Sequence, residues 1–204
     1  MIEITKFLDA PELALADEVT NSPENYYDNG GVHNNQLTSA QQWLSPHDRL
    51  YQLVQQKLQG ITLFTDQTID GLQILHAVKP YDVHTDYIVQ KNQVPLSDPN
   101  VKIPTYTVII PMCDKFKTVV FDQSGMYNNF SQYKKENNQL HDYCTDQQWQ
   151  EHCSHCHNED QKYLSIKKIF NWKVGNLFAF DRKLFHCSAN FSGKKQAIVL
   201  WLSR

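Results

Sequence analysis

The pattern of hydrophobic and polar residues changes at about residue 60, from helical spacing to short strand-like runs. After this point, stretches rich in β-branched and aromatic residues alternate with turn residues, as is typical of strands. The predicted strands are Ile61–Phe64, Gly71–Val78, Tyr81–Val89, Tyr106–Ile110, Thr118–Phe121, Ile166–Trp172, Gly175–Phe180 and Lys195–Leu202. Many short strands with few helices between them are typical of a barrel or a jelly-roll sandwich.

Two helices are predicted before residue 60. The first begins after Asp9, a candidate N-cap that is followed by a proline and, three positions on, by Glu12. The second begins near Ser45-Pro-His-Asp48 and ends at Gly60. Apolar residues at helical spacing are Leu13, Ala16 and Val19 in the first helix and Leu50, Leu53, Val54 and Leu58 in the second. Each helix therefore has one apolar face, and we expect both to pack on the outside of a sheet.

Two polar segments interrupt this pattern. Residues 21–42 are rich in Asn, Gln, Gly and Tyr, and form either a lid over a site or a surface loop. Residues 122–162 are predicted to be an insertion between strands. We expect one domain over residues 1–204, with an N-terminal helical and loop region to residue 60 and a β-rich core from residue 61 that carries the insertion.

Composition and charge exclude several classes of function. The chain has 204 residues and is 41% hydrophobic, enough for one sizeable core. Its formal net charge of −3 gives no basic surplus for binding nucleic acid. No apolar run approaches the roughly 20 residues that span a bilayer. The five cysteines are an odd number and do not indicate a disulfide framework, so we expect a soluble cytoplasmic protein with no membrane partner.

The sequence His84-Thr-Asp86 is a candidate metal-binding pair. On an extended strand, residues two apart point to the same face, so His84 and Asp86 could bind one metal together. A third ligand must come from another strand, and His186 is the histidine best placed by its strand context. Two imidazoles and one carboxylate form the facial triad of non-haem Fe(II) oxygenases. We therefore predict that His84, Asp86 and His186 bind a catalytic metal.

The wider pattern resembles the Fe(II)/2-oxoglutarate-dependent dioxygenases. The resemblance covers about residues 72–202 and rests on Tyr81–Asp86, Gly175–Asp181, His186–Phe191 and a basic residue ahead of the last strand. It implies a mainly β fold with flanking helices, the double-stranded β-helix of jelly-roll or cupin-like barrels. It also implies that the triad holds Fe(II), and that O2-dependent oxidative decarboxylation of 2-oxoglutarate is coupled to substrate oxidation, most often hydroxylation.

In this family, a basic residue shortly after the distal histidine binds the 5-carboxylate of 2-oxoglutarate. Lys194 and Lys195 are both candidates, and the period-2 alternation of the last strand favours Lys195. Many members have Arg here, which grips a carboxylate with two parallel hydrogen bonds, whereas Lys acts as a point charge. Thr107 either adds a hydroxyl to the cosubstrate pocket or packs against a neighbouring strand.

The insertion contains a second set of candidate ligands. Cys153-Ser-His-Cys156 could supply half of a tetrahedral zinc site. Cys144 and one of His152, His155 and His157 could complete the site only if the insertion folds back on itself. The alternative is a solvated or helically packed insertion without metal.

Three functions are consistent with these patterns. The leading one is a 2-oxoglutarate-dependent dioxygenase, most often a hydroxylase. The second is a non-catalytic cupin-like module that binds a metal or a small molecule and does not need a carboxylate anchor such as Lys195. The third is a zinc-stabilised interaction protein centred on residues 144–157. The fold and the triad do not identify the substrate. We expect a small molecule or a protein side chain. Residues 21–42 and 122–162 are the segments expected to recognise it.

Overall fold

The computed structural model describes residues 1–21, 32–33, 36–37, 39–87, 102–126, 130–136 and 144–204. The strands are β1 (Ile2–Ile4), β2 (Val32–His33), β3 (Gln36–Leu37), β4 (Ser39–Trp43), β5 (Thr68–Ala77), β6 (Pro104–Pro111), β7 (Lys117–Ser124), β8 (Ile166–Asn171), β9 (Leu177–Asp181), β10 (Leu184–Ser188) and β11 (Lys195–Ser203). The α-helices are α1 (Ala10–Thr20), α2 (Arg49–Gln59), α3 (Phe130–Glu136) and α4 (Asp146–His152).

Two antiparallel sheets form the centre of the fold. The larger sheet has six strands in the order β1-β9-β6-β11-β5-β4, and the smaller has the order β10-β7-β8. Residues from both sheets, including Ile109, Val120 and Phe170, share one buried cluster, so the sheets pack face to face. Neither sheet closes into a barrel. The predicted mainly β fold with flanking helices is confirmed.

A second core lies on the outer face of the six-stranded sheet, under α1 and α2. Every residue of the two predicted apolar helix faces belongs to this core or packs against it. On β11, Ile198 and Leu200 point to the helices, whereas Ala197 and Val199 point to the smaller sheet. The alternation expected along this strand is therefore observed, because each of its faces is covered by a different layer.

The insertion between β7 and β8 packs on the outer face of the smaller sheet. It contains α3, α4 and a 3-10 helix over Asn158–Tyr163. Trp149 of α4 is fully buried in a cluster with Val119 of β7 and Phe185 of β10. In the described residues, the insertion is thus a packed helical layer over the strand that carries His186.

Two of the predicted strands are wrong. Within Ile61–Phe64, residues Thr62–Phe64 form a 3-10 helix, because Phe64 turns back to donate to the Ile61 carbonyl and buries its ring. Residues 81–87 of the segment Tyr81–Val89 are irregular, and their one ladder contact is a single bridge between His84 and His186. Residues 88 and 89 lie outside the described residues.

Five of the described strands were not predicted, namely β1, β4, β10 and the two-residue strands β2 and β3. β1 and β4 pair at opposite edges of the larger sheet, so residues 1–60 supply two of its strands as well as two helices. β4 is polar in sequence, and β1 and β10 are short, so the hydrophobic pattern alone did not reveal them.

The proposed lid over residues 21–42 lies largely outside the described residues. None of the helices in the described part combines the length and apolar character needed to cross a bilayer.

Removing the N-cap of α1 should destabilise the fold by a modest, measurable amount. The Asp9 carboxylate accepts from the Glu12 amide at 3.1 Å, and the Glu12 carboxylate accepts from the Asp9 amide at 2.8 Å, a reciprocal capping box. We expect Asp9→Ala to lower the free energy of unfolding by about 1 kcal/mol in urea denaturation. Asp9→Asn keeps an acceptor oxygen and should stay close to wild type. Equal stabilities of Asp9→Ala and wild type would contradict this assignment.

The second helix begins later than predicted. α2 starts at Arg49 with Asp48 as its N-cap, rather than after Ser45. The Asp48 carboxylate accepts from the Ser45 amide, and the Asp48 amide donates to the Ser45 carbonyl. Because these residues bond to each other, they form a closed turn that precedes the helix.

Candidate active site

A cavity of about 510 Å³ lies between the two sheets and beside the loop of residues 81–87. All five residues proposed from the sequence line it, namely His84, Asp86, Thr107, His186 and Lys195. They come from the loop, from β6, from β10 and from the start of β11. The fold thus brings together residues that are separated by more than a hundred positions in the chain.

His84, Asp86 and His186 form one compact group, whose potential ligand atoms all lie within 4.8 Å of one another. His186 Nε2 lies 3.3 Å from Asp86 Oδ2, and His84 Nε2 lies 4.0 Å from Asp86 Oδ1. The sequence predicted that His84 lies on a strand, but the structure places it in the irregular loop of residues 81–87. The His84 and His186 backbones exchange hydrogen bonds of 3.0 and 2.9 Å, which attaches the loop to β10.

Nδ1 of His84 and Nδ1 of His186 each lie within hydrogen-bond distance of a backbone carbonyl. His84 Nδ1 lies 2.7 Å from the Asp82 carbonyl, and His186 Nδ1 lies 3.1 Å from the Leu184 carbonyl. A carbonyl oxygen can only accept, so each Nδ1 carries a proton and donates. In the neutral form of each ring the lone pair is then on Nε2, the nitrogen that lies towards Asp86. Histidines that ligate metals are commonly oriented in this way.

Asp86 is held at both its carboxylate and its backbone. Thr107 donates its hydroxyl to Asp86 Oδ2 at 2.6 Å. Arg182 donates to the Asp86 carbonyl from Nε at 3.2 Å and from Nη2 at 3.1 Å. Nη1 of the same arginine pairs with Asp70 at 2.7 Å, and Ser203 donates to the other oxygen of Asp70. These contacts fix the position and the direction of the Asp86 side chain.

Arg182 is a positioning residue that the sequence reasoning missed. It is only 6% exposed, although it carries a permanent charge. The available signal was its place between two apolar strands, Leu177–Asp181 and Leu184–Ser188, where a buried arginine needs partners. The identity of the partners depends on the pairing of distant strands and was not readable from sequence.

The charges in this group match those that a metal ligand set requires. Burial and the neighbouring His186 lower the pKa of His84 to about 4, so its imidazole is neutral at pH 7. Burial alone would raise the pKa of Asp86, but the two histidines and the Thr107 hydroxyl outweigh it and hold that pKa below its usual range. A neutral imidazole and an ionised carboxylate are the protonation states in which these groups bind metals.

Lys195 places a buried ammonium on another wall of the cavity. The residue is 4% exposed, whereas Lys194 is exposed to solvent. Its Nζ donates to the Ser188 hydroxyl at 2.6 Å and lies 4.5 Å from the centre of the Trp172 ring. Burial lowers the pKa of Lys195 to about 8. No carboxylate of the described residues lies within ion-pair distance of Nζ, so the cavity holds a cation that lacks an anionic partner.

The cysteines and histidines of the insertion form a second group, with a different membership from the one predicted. His155 and Cys156 meet Cys187 of β10, with potential ligand atoms within 4.8 Å of one another. Cys144 and Cys153, which the sequence offered as ligands, are not in this group, and burial raises the pKa of the Cys144 thiol to about 11. Hydrogen bonding by Cys187 and His155 lowers the pKa of Cys156 to about 6. Cys187 lies in β10, far in sequence from the insertion, so the sequence did not connect it with His155 and Cys156.

No protein-family model matches the chain, and no curated protein matches it in sequence. Solved structures do match it. The non-heme alpha ketoglutarate dependent epimerase SnoN from nogalamycin biosynthesis superposes with a TM-score of 0.60 at 9% identity, over 99% of this chain and 77% of that chain. The carbocyclase SnoK from the same biosynthesis gives 0.57 at 15% identity, over 99% and 78%.

A third similar structure is the viral collagen prolyl hydroxylase vCPH from Paramecium Bursaria Chlorella virus-1. It superposes with a TM-score of 0.54 at 13% identity, over 99% of this chain and 94% of that chain. At such low identities the likeness concerns the fold. The chain therefore has the double-stranded β-helix fold of the non-haem iron, 2-oxoglutarate-dependent oxygenases.

Proposed function

We propose that this protein is a non-haem Fe(II)- and 2-oxoglutarate-dependent dioxygenase that acts as a hydroxylase. One observation carries the proposal. A single cavity has the group of His84, Asp86 and His186 on one wall and the buried ammonium of Lys195 on another. The oxygenase fold supports the same conclusion.

The residues of this group fit an iron ion. His84 Nε2, His186 Nε2 and a carboxylate oxygen of Asp86 would hold it, which gives the ligand set of non-haem Fe(II) oxygenases. The set contains no thiolate, which would favour zinc. Bound iron would supply the redox chemistry by which O2 oxidises 2-oxoglutarate to succinate and CO2 and oxidises a substrate.

The other cavity residues would position the cosubstrate. Lys195 would pair with the 5-carboxylate of 2-oxoglutarate, which would give an anionic partner to a cation whose contacts among the described residues are a hydroxyl and two aromatic rings. Ser188 and Trp172 hold the ammonium in place through a hydrogen bond and a cation–π contact. Thr107 and Arg182 keep Asp86 directed at the metal position.

Lys195 also favours an enzyme over the two competing functions. A cupin-like binding module needs no carboxylate anchor, and burying an ammonium without one costs free energy. An interaction protein centred on the insertion would need neither the histidine group nor the cavity. Of the three functions, the dioxygenase is the one that uses both the histidine group and the buried ammonium.

For the substrate we propose a small molecule or a protein side chain. SnoN belongs to the biosynthesis of a small molecule, nogalamycin, whereas vCPH is a collagen prolyl hydroxylase, so the same fold accepts both classes. Trp43 and Trp201 line the cavity with ring centres 5.5 Å apart, and Trp43 is 46% exposed. These rings offer an apolar surface to a substrate that enters the cavity. The odd number of cysteines supports a reducing location, the cytoplasm.

The direct test is spectroscopic and anaerobic. Metal-free protein receives Fe(II) and then 2-oxoglutarate, and we expect the visible charge-transfer absorption of an iron-chelated 2-oxoglutarate. Admission of O2 should then release succinate. Iron binding without this absorption would overturn the proposal in favour of the binding module.

Removing the hydroxyl of Thr107 should weaken iron binding without removing a ligand. Thr107→Val keeps the shape of the side chain but loses the 2.6 Å bond to Asp86. We expect the dissociation constant for Fe(II) to rise by about 10- to 100-fold, measured by anaerobic titration. The matched control is Thr105→Val, on the same strand, whose hydroxyl donates to the Leu202 carbonyl away from the metal group. Equal iron affinities of the two variants would mean that Thr107 does not position Asp86.

A further inference from the structure

We propose that Cys153, Cys156, Cys187 and His155 form a second metal site, which takes Zn²⁺ or another thiophilic divalent cation and has a structural role. None of these side chains takes part in the proposed dioxygenase reaction. The three thiols are 0%, 6% and 0% exposed, respectively. All are free thiols in the structure. Three buried thiols beside an imidazole give the donor set of a Cys3His zinc site.

The distances place three of these donors together and the fourth, Cys153, beside one of them. Cys153 Sγ and Cys187 Sγ are 3.8 Å apart. With zinc–sulfur bonds of about 2.3 Å, two thiolates in tetrahedral coordination lie about 3.8 Å apart. His155 Nε2 is 3.2 Å from Cys156 Sγ, and the donor atoms of these two residues and of Cys187 lie within 4.8 Å of one another. Cys153 is outside this group and contacts it through Cys187, so a bound ion would draw the Cys153 thiolate in as the fourth ligand.

Local backbone structure brings the two cysteines of the insertion together. α4 ends at His152, and the Cys156 amide then donates to the Cys153 carbonyl at 2.8 Å. This tight turn joins the backbones of the two cysteines of a Cys-x2-Cys sequence, the spacing that zinc sites use for one pair of ligands. The strand β10 supplies Cys187, which the sequence alone did not connect with this pair.

His155 is oriented as a metal-ligating histidine. Its Nδ1 lies 2.7 Å from Asn190 Oδ1. The Asn190 amide nitrogen donates to the carbonyls of Gln150 and Glu151, which fixes Oδ1 as the atom that faces the ring. Nδ1 must therefore donate, and Nε2 is the nitrogen that faces Cys156. Nε2 also lies 3.1 Å from the Tyr81 carbonyl, a contact that a metal ion would replace.

The donor set distinguishes this site from the one proposed for iron. Thiolates select zinc and similar soft or borderline cations, whereas the group of His84, Asp86 and His186 has none. Four protein ligands would also leave no open position for a substrate, which is the mark of a structural site.

A metal bound here would join the insertion to the β core. Cys153 and Cys156 belong to the insertion, whereas Cys187 follows His186 in β10. The ion would thus clamp the helical layer onto the strand that carries a proposed iron ligand. We therefore expect metal binding to raise the temperature of unfolding, because the ion binds only the folded arrangement.

Cobalt substitution tests this site independently of the iron site. The full chain, stripped of metal and reduced, is titrated with Co²⁺, and we expect the near-ultraviolet thiolate-to-cobalt charge-transfer absorption together with the visible bands of tetrahedral cobalt. The absorption should disappear in Cys153→Ser and in Cys156→Ser. It should remain in His186→Ala, which changes the proposed iron site, and in the control Cys113→Ser, which removes a thiol from the turn after β6. Absence of the absorption in wild type, or its persistence in both cysteine variants, would overturn the proposal.

A measurement on the wild-type protein guards against variants that fail to fold. Protein loaded with Zn²⁺ and freed of loosely bound metal should hold about one equivalent that resists a mild chelator. Titration with an organomercurial, which modifies thiols, should release that zinc in step with thiol modification, as followed with a chromogenic chelator. Zinc that escapes before the thiols react, or that is not retained at all, would count against the site whatever the iron site does.

Discussion

His186→Ala should abolish the charge-transfer absorption of the iron complex with 2-oxoglutarate and lower Fe(II) affinity by more than about 100-fold. Loss of a residue that only orients a ligand costs about 10- to 100-fold, so loss of a ligand itself should cost more. His186 Nε2 lies 3.3 Å from Asp86 and is directed there by the hydrogen bond from Nδ1 to the Leu184 carbonyl. The measurement is anaerobic titration of the metal-free variant with Fe(II), followed by addition of 2-oxoglutarate.

The matched control for this experiment is His47→Ala. His47 is exposed and does not line the cavity. Its loss should leave both the iron affinity and the absorption at wild-type values. If His186→Ala kept the absorption while circular dichroism showed an intact fold, the proposed ligand set would be wrong.

Lys195→Met should raise the concentration of 2-oxoglutarate needed for half-saturation by about 30-fold or more. Removing one partner of a buried, hydrogen-bonded charge pair costs about 2 to 5 kcal/mol, and each 1.4 kcal/mol is about tenfold in affinity. Methionine fills a similar volume without a charge, so the cavity should keep its shape. Affinity for Fe(II) alone should change little, because Lys195 is not among the proposed ligands.

Lys194→Met is the control that the chain itself offers. Lys194 is adjacent in sequence and has the same charge, but it is exposed and lies just before β11. The two variants therefore share the change in net charge and differ only in which lysine faces the cavity. Equal effects on 2-oxoglutarate binding would show that the contribution is general electrostatics, and that Lys195 is not the anchor.

Local sequence patterns were informative where they reflect residue type and periodicity. The two amphipathic helices pack where their apolar faces predict, because burial of an apolar face is dictated by the face itself. The alternation along Lys195–Leu202 placed Lys195 on the inner face for the same reason. The single residue between His84 and Asp86 predicted that their side chains lie on the same side of the backbone. The structure does bring the two side chains together, but in a loop and not in a strand.

The sequence by itself determined the mainly β class, the two helices and the candidate residues at the cavity, because residue type and spacing are local properties. Only the tertiary structure decided how these residues meet. The bridge between His84 and His186, the partners of Arg182, and the union of Cys187 with Cys153 and Cys156 all depend on contacts between distant segments. Such contacts arise from the register of paired strands and the packing of layers, and no short stretch of sequence contains both partners.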